Sequence, residues 1–197
     1  IIIRSSIYPG TCKKIQSYLG PQFKNISYCP ERVVQGKSIT ELPKLPQIIS
    51  GITNNSIERS KRLFKLICNK IIVTSILEAE LIKLFSNAWR YVNFSISNEF
   101  YMICENLGID FNILRKNMIS GYERNKGIPT AGFAAGPCLY KDTVQLNAFL
   151  NNSFLLGKSA TKINQNFPKF LYQKIKLKFG KKLKNKIIGI LGMSFKS

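Results

Sequence analysis

Three short stretches hold the side chains with which this sequence could do chemistry. The first is Gly136-Pro137-Cys138-Leu139-Tyr140-Lys141-Asp142, a thiol leaving a small-residue loop just ahead of a lysine and an aspartate. Read as a loop entering a helix, it sets the thiol near the positive end of a helix dipole and near a cation. Both favour the thiolate, the form of cysteine that acts as a nucleophile. Taken alone, the stretch has a plainer reading as a free cysteine buried and inert. The second stretch holds Lys83 and Asn87, spaced to share one face of a helix; its plainer reading is a solvated face. The third, Tyr28-Cys29-Pro30-Glu31-Arg32, puts a carboxylate and a guanidinium at a strand end, where α/β sheets bind ligands. A surface ion pair accounts for the same two charges. Gly189-Ile190-Leu191-Gly192 follows an apolar run and has only part of the glycine spacing that opens a nucleotide fold.

Composition narrows the chemistry. The chain has 197 residues and no histidine, so acid–base work falls to Lys, Glu, Asp and Cys. The cysteines (Cys12, Cys29, Cys68, Cys104, Cys138) are odd in number and irregular in spacing, with no C-x-x-C pair. That pattern excludes the usual zinc sites and argues against a secreted disulfide framework, so free thiols, no metal and a cytoplasmic location are expected. Hydrophobic residues make up 45%, which suits a globular chain. No apolar run reaches the roughly 18 residues that span a bilayer, and no membrane partner is expected. Thirty Lys and Arg face 10 Asp and Glu, for a net charge of +20, which makes phosphate-bearing partners plausible. The lysines are spread along the chain and not interleaved with aromatic stacking platforms, so a chain-wide bias is expected rather than a nucleic-acid footprint. The start, Ile1-Ile2-Ile3-Arg4, reads as a strand entered partway, and the chain is expected to be a cut one.

These residues need elements to hold them. Residues 1–3 read as a strand, ended by Ser5-Ser6 and the Pro9-Gly10 turn. Thr11 is expected to cap a helix through about Leu19, stopped by Gly20-Pro21. Further strands are expected at 25–28, 47–52 and 71–74, with a loop over 31–46. A helix beginning at Ser56 should turn Arg59, Arg62 and Lys65 to water. From 77 to 108 the apolar residues Leu81, Phe85, Ala88, Val92, Ile96, Ile103 and Leu107 recur at helical spacing over roughly eight turns. Such a helix is the spine of a domain or a subunit interface. Gly108 should end it and Asp110 should cap a shorter helix to Ile119. A small-residue loop over 127–137, a helix over 142–166, a lysine-rich linker or helix end over 174–186 and a strand over 186–191 complete the chain.

The joint order of five stretches carries a resemblance. Ser5-Ser6-Ile7-Tyr8-Pro9-Gly10-Thr11, then Cys29-Pro30-Glu31-Arg32-Val33-Val34-Gln35-Gly36, then Glu80-Leu81-Ile82-Lys83-Leu84-Phe85-Ser86-Asn87, then Gly132-Phe133-Ala134-Ala135-Gly136 running into Cys138 and Asp142, then 189–196 resemble successive signatures of the UDP-glucose/GDP-mannose dehydrogenase family. The match covers essentially the whole chain. The Pro-Glu-Arg and Gly-Pro-Cys forms are similar to members acting on UDP-N-acetylhexosamines.

The resemblance implies an α/β plus all-α architecture. Residues 1–74 would be the C-terminal part of an NAD-binding Rossmann domain, and 75–172 a central helical domain that dimerises through the long helix, 77–107. Residues 173–185 would be a linker, and 186–197 the first strand of a Rossmann-like UDP-binding domain. The glycine-rich pyrophosphate loop of the family is missing from this sequence, so the stretch alone is expected to hold NAD poorly and to be inactive. The implied reaction is the NAD-dependent, two-step oxidation of C6 of a UDP-sugar to the acid. By resemblance Cys138 is the nucleophile, Lys83 the cation at the developing alkoxide, and Asn87 a partner of the water or thiohemiacetal oxygen. Asp142 activates water, Glu31 is linked to thioester hydrolysis, and Ser6 stands where the family has threonine. Arg32, Arg124, Gly132, Phe133, Gly136 and Lys196 fall on substrate-contacting positions. The alternatives are a UDP-glucose 6-dehydrogenase of the same family or, from other classes, a basic nucleic-acid-binding protein or a purely dimerising helical module.

Overall fold

The computed structural model describes residues 1–34, 36–134 and 136–190. In chain order the elements are β1 (Ile2–Ile3), α1 (Thr11–Leu19), β2 (Ser27–Tyr28), α2 (Ser38–Glu41), β3 (Gln47–Gly51), α3 (Asn54–Lys65), β4 (Ile71–Val73), α4 (Ile76–Leu107), α5 (Phe111–Ile119), α6 (Pro137–Phe149) and α7 (Leu155–Phe179). Short 3-10 turns occupy Glu123–Asn125 and Gly180–Asn185. The chain divides into two compact units, Ile1–Ser86 and Asn87–Ser197. The first ends inside α4.

The first unit is built on a sheet in the order β1-β2-β3-β4. β1 pairs parallel with β2, β3 parallel with β4, and β2 antiparallel with β3, so two strand–helix–strand turns are joined back to back. Strand β3 is buried over most of its length, as an apolar run between neighbours must be. One core cluster packs Cys12, Tyr28, Ile48, Ile76 and Ala79; a second packs Cys29, Ile49, Phe64 and Cys68.

Several local expectations are corrected here. Thr11 is not the cap of α1 but its first residue: Gly10 caps it at φ 86°, a left-handed conformation that glycine adopts without steric cost, and the Thr11 hydroxyl donates to the Tyr8 carbonyl instead. Ser56 does not begin α3. Thr53 is the cap and Ser56 closes a capping box with it three residues on. The loop over 31–46 contains the single turn α2. Arg59, Arg62 and Lys65 are exposed as expected.

In the second unit Asp110 caps α5 by accepting from the Asn112 and Ile113 amides, and α4 closes at Gly108 with the Ile109 amide donating to the Cys104 carbonyl. The helix expected over 142–166 is two helices. α6 starts at Pro137 and stops at Phe149, because Asn151 and Asn152 take left-handed conformations (φ 49° and 63°) that turn the chain into α7. Tyr91, Leu139 and Ala160 form a core where α4, α6 and α7 meet. Tyr101 contacts Phe111, Phe167 and Phe170 edge to face. The lysine run opens as the end of α7, but residues 186–190 are not a strand: they make no ladder among the described residues, and Ile187 lies open to solvent. Leu191 and Gly192, the rest of that expected strand and its break, lie outside the described residues.

Candidate active site

Each unit holds a separate group of the expected site residues. In the first unit they gather at the ends of β1 and β2. Glu31 follows β2, and its carboxylate pairs with Arg4, which follows β1. The other carboxylate oxygen accepts the Arg32 amide at 2.7 Å and the Val33 amide at 2.9 Å. Burial pushes this carboxyl up. The Val33 amide, the Arg4 charge and the Arg32 amide outweigh burial and hold it below its ordinary value. Lys83, on α4, donates to the Glu31 carbonyl at 2.6 Å, so one residue is gripped at its side chain and at its backbone. The Arg32 guanidinium turns away to the Pro46 carbonyl. Ser6 is half-buried in the loop that leaves β1.

In the second unit α6 presents the thiol. Gly136 precedes the helix at φ 97°, and Pro137 occupies the first helical position, where its missing N–H costs nothing. Cys138 follows in the first turn, whose amides have no partner within the helix. Of the five cysteines it is the exposed one; Cys12, Cys29, Cys68 and Cys104 are buried. Burial pushes the thiols of Cys12, Cys29 and Cys68 up, which keeps them protonated and inert. One turn beyond Cys138 and on the same face of α6, Asp142 is fully buried. It accepts from the Asn87 side-chain amide at 2.6 Å, while the Lys141 ammonium lies 3.4 Å from its other oxygen. Asn87 is itself buried, so the solvated reading of its helix face does not hold for it.

The loop before Cys138 is pinned by residues that sequence reasoning missed. Asn98, fully buried on α4, accepts the Gly132 amide at 2.8 Å and donates to Asn164 at 2.9 Å. Ser97 donates to the Pro129 carbonyl at 2.8 Å. Phe133 is exposed but stacks edge to face on Phe167. The Arg124 guanidinium lies over the ring of Tyr122 and 3.3 Å from its hydroxyl. Lys196 lies outside the described residues. Arg4 was missed because a lone arginine after a strand carries no signal. Asn98 had one: it lies three turns past Asn87 on one helix face.

Residues 77–166 match the family model described as UDP-glucose/GDP-mannose dehydrogenase family, central domain. This stretch is a central domain of that family. Over its whole length the chain is 30% identical to UDP-N-acetyl-D-mannosamine dehydrogenase of Methanococcus maripaludis, 46% of which it covers. It is 29% identical to UDP-glucose 6-dehydrogenase of Rickettsia bellii, covering 48% of that protein. Among solved structures, UDP-D-ManNAc dehydrogenase from Pyrococcus horikoshii superposes with a TM-score of 0.80 at 27% identity, over 90% of this chain and 45% of that one. The chain spans about half the length of the curated relatives it matches. These relatives are nucleotide-sugar dehydrogenases. Among the described residues no helix is long and apolar enough to cross a membrane.

A dinucleotide would need a glycine-rich turn of free amides at a helix start that follows a strand. The helix starts after β1 and β3 do not supply one. At α1 the Gly10 and Cys12 amides are taken by the Glu80 carboxylate, and at α3 the capping box takes its own. The described residues therefore do not form a pyrophosphate cradle, and NAD rests on the family relation alone.

Proposed function

We propose that this chain belongs to an NAD-dependent nucleotide-sugar 6-dehydrogenase that oxidises C6 of a UDP-sugar, a UDP-N-acetylhexosamine, to the UDP-uronic acid. Cys138 adds through sulfur to the C6 aldehyde, and the adduct, once oxidised, is a thioester. Water then attacks the thioester carbon, the C–S bond breaks, sulfur leaves as thiolate, and the proton lost by the water passes on to it. In this reading Asp142 takes the proton from that water, and Asn87 both orients Asp142 and binds the water or the adduct oxygen. Lys83 supplies a fixed cation for the alkoxide, a preorganised electrostatic role. Glu31 and Ser6 belong to the same water network, and Arg32, Arg124, Gly132, Phe133, Gly136 and Lys196 contact the sugar nucleotide. NAD is the hydride acceptor. We propose further that residues 1–74 belong to its binding domain, 75–172 to the central domain and 186–197 to the UDP-binding domain after a linker over 173–185. Two copies pair through the exposed apolar face of α4.

The observation that carries this reading is the pairing of an exposed Cys138 with the buried Asn87–Asp142 pair one turn along α6. The test is NADH formation from UDP-N-acetylmannosamine and from UDP-glucose, in the protein extended to the length of its relatives. Two NADH per sugar are expected with the first substrate, and Cys138→Ser should cut acid formation by roughly three orders of magnitude. Acid made by Cys138→Ser at the parental rate would remove the nucleophile. Faster turnover of UDP-glucose would replace the substrate.

A further inference from the structure

We propose that Glu80 is a positioning residue that locks the loop over 5–10, and with it Ser6, in register with Lys83. The inference rests on the roles given above to Ser6 and Lys83. Glu80 is fully buried on α4, where a carboxylate is costly unless it is hydrogen-bonded. Its two oxygens are used separately: one accepts the Gly10 amide at 2.5 Å and the other the Cys12 amide at 3.0 Å. Those amides are orphan donors at the start of α1, which has no side-chain cap of its own. The cap comes instead from a residue 70 positions away in the chain.

The loop between β1 and α1 is thereby tied at both ends. The Tyr28 hydroxyl donates to the Ser5 carbonyl at 3.1 Å, and the Thr11 amide and hydroxyl close on the Tyr8 carbonyl at 3.1 and 2.6 Å. Ser6 sits between those ties. Three residues past Glu80, Lys83 grips the Glu31 carbonyl behind β2. One stretch of α4 thus fastens the loop after β1 through Glu80 and the loop after β2 through Lys83. The sheet has its own supports, since Ile48 and Ile49 are buried in different clusters. Removing the Glu80 tie should loosen the loop and leave the sheet seated.

The test uses backbone amide relaxation and hydrogen exchange on the 197-residue chain, comparing the parent with Glu80→Gln and Glu80→Leu. In the parent the Ser6, Ile7 and Tyr8 amides should have the order parameter of rigid backbone, about 0.85, and in both variants it should fall below about 0.6. The Ile48 and Ile49 amides should keep their protection. Glu80→Gln decides the matter, because it keeps the side chain's size and one acceptor oxygen if Glu80→Leu fails to fold. A loop as rigid in Glu80→Gln as in the parent overturns the proposal. So does protection lost evenly from loop and sheet, which a merely structural role would give. The readout needs no turnover. An active Cys138→Ser enzyme would remove the functional reading and leave this result standing, whereas a rigid loop beside a working Cys138 would remove only this inference.

Discussion

The two faces of α4 differ in a way that inverts the usual rule for a helix. Phe85, Trp89, Ile96, Phe100, Ile103 and Leu107 line one narrow stripe, and every one of them is exposed. On the opposite side Glu80, Leu84, Asn87, Tyr91, Ser95 and Asn98 recur at the same helical period, and every one of them is buried. An amphipathic helix ordinarily turns its apolar stripe to the core and its polar stripe to water. Here the polar members of that stripe are inside because each has a bond to make, with Leu84 and Tyr91 buried between them. Glu80 caps α1, Asn87 holds Asp142, Asn98 holds the loop before Cys138, and the Ser95 hydroxyl donates to the Val92 carbonyl at 2.7 Å. A contiguous apolar stripe left in water marks an association surface. The difference teaches that on this helix burial follows hydrogen-bonding partners rather than polarity, and the proposed pairing of two copies would cover the apolar stripe left outside.

The sharpest way to break that comparison is to empty the polar stripe. Asn98→Ala leaves the Gly132 amide and the Asn164 side chain without their partner inside the second unit. Groups stranded in this way cost about 1–3 kcal/mol each when fully buried, and both of these are half-buried, so a loss of about 2 kcal/mol is expected in urea unfolding. A loss under about 0.5 kcal/mol would mean that the inward face is polar by accident. The outward face is tested by Trp89→Ala. Folding stability should stay within about 0.5 kcal/mol, as for other surface substitutions. The dissociation constant of the proposed dimer should rise about 30-fold, or about 2 kcal/mol, as for an aromatic interface anchor. Sedimentation across a concentration series reads it. A monomer destabilised with no change in association would return the stripe to ordinary packing.

Much of the fold was legible because backbone punctuation is local. Pro9-Gly10, Gly20-Pro21, Gly108 and Asp110 end or begin elements where the residues said they would. The long helix was legible from its period, but period alone does not say which stripe is buried. That depends on partners such as Gly10, Gly132 and Asp142, which are remote in the sequence. The break between α6 and α7 was missed because asparagine in a left-handed conformation, unlike glycine or proline, leaves no strong mark. In the candidate site, the place of Cys138 at a loop running into a helix was legible, and so was that of Asn87 on a helix four residues after Lys83; that Asn87 bonds Asp142 was not. Arg4, Glu80 and Asn98 were not singled out, since each acts by a bond to backbone or to a side chain far along the chain.

The smallest effect concerns the first turn of α4, where both faces begin. Ser75 and Glu78 form a capping box: the Glu78 carboxylate accepts the Ser75 amide at 2.9 Å and the Ser75 hydroxyl accepts the Glu78 amide at 3.3 Å. The Thr74 hydroxyl and then the Ser75 amide hold the Glu78 carboxyl down at about 2. An unfolded glutamate titrates near about 4.3. Because the folded value is the lower one, the stabilisation is complete above about 4.3 and disappears as pH falls through about 2. Glu78 is fully exposed, so water screens the interaction and the effect is small. Glu78→Gln keeps an oxygen for the Ser75 amide but has no charge to lose. Between pH about 6 and about 3 the urea midpoint of the parent should therefore fall further than that of Glu78→Gln. Glu31 and Glu58, whose carboxyls are also held low, titrate in both proteins and cancel in the comparison. Midpoints that fall in parallel would mean that α4 starts without help from this charge, and that its two stripes alone hold its first turn in place.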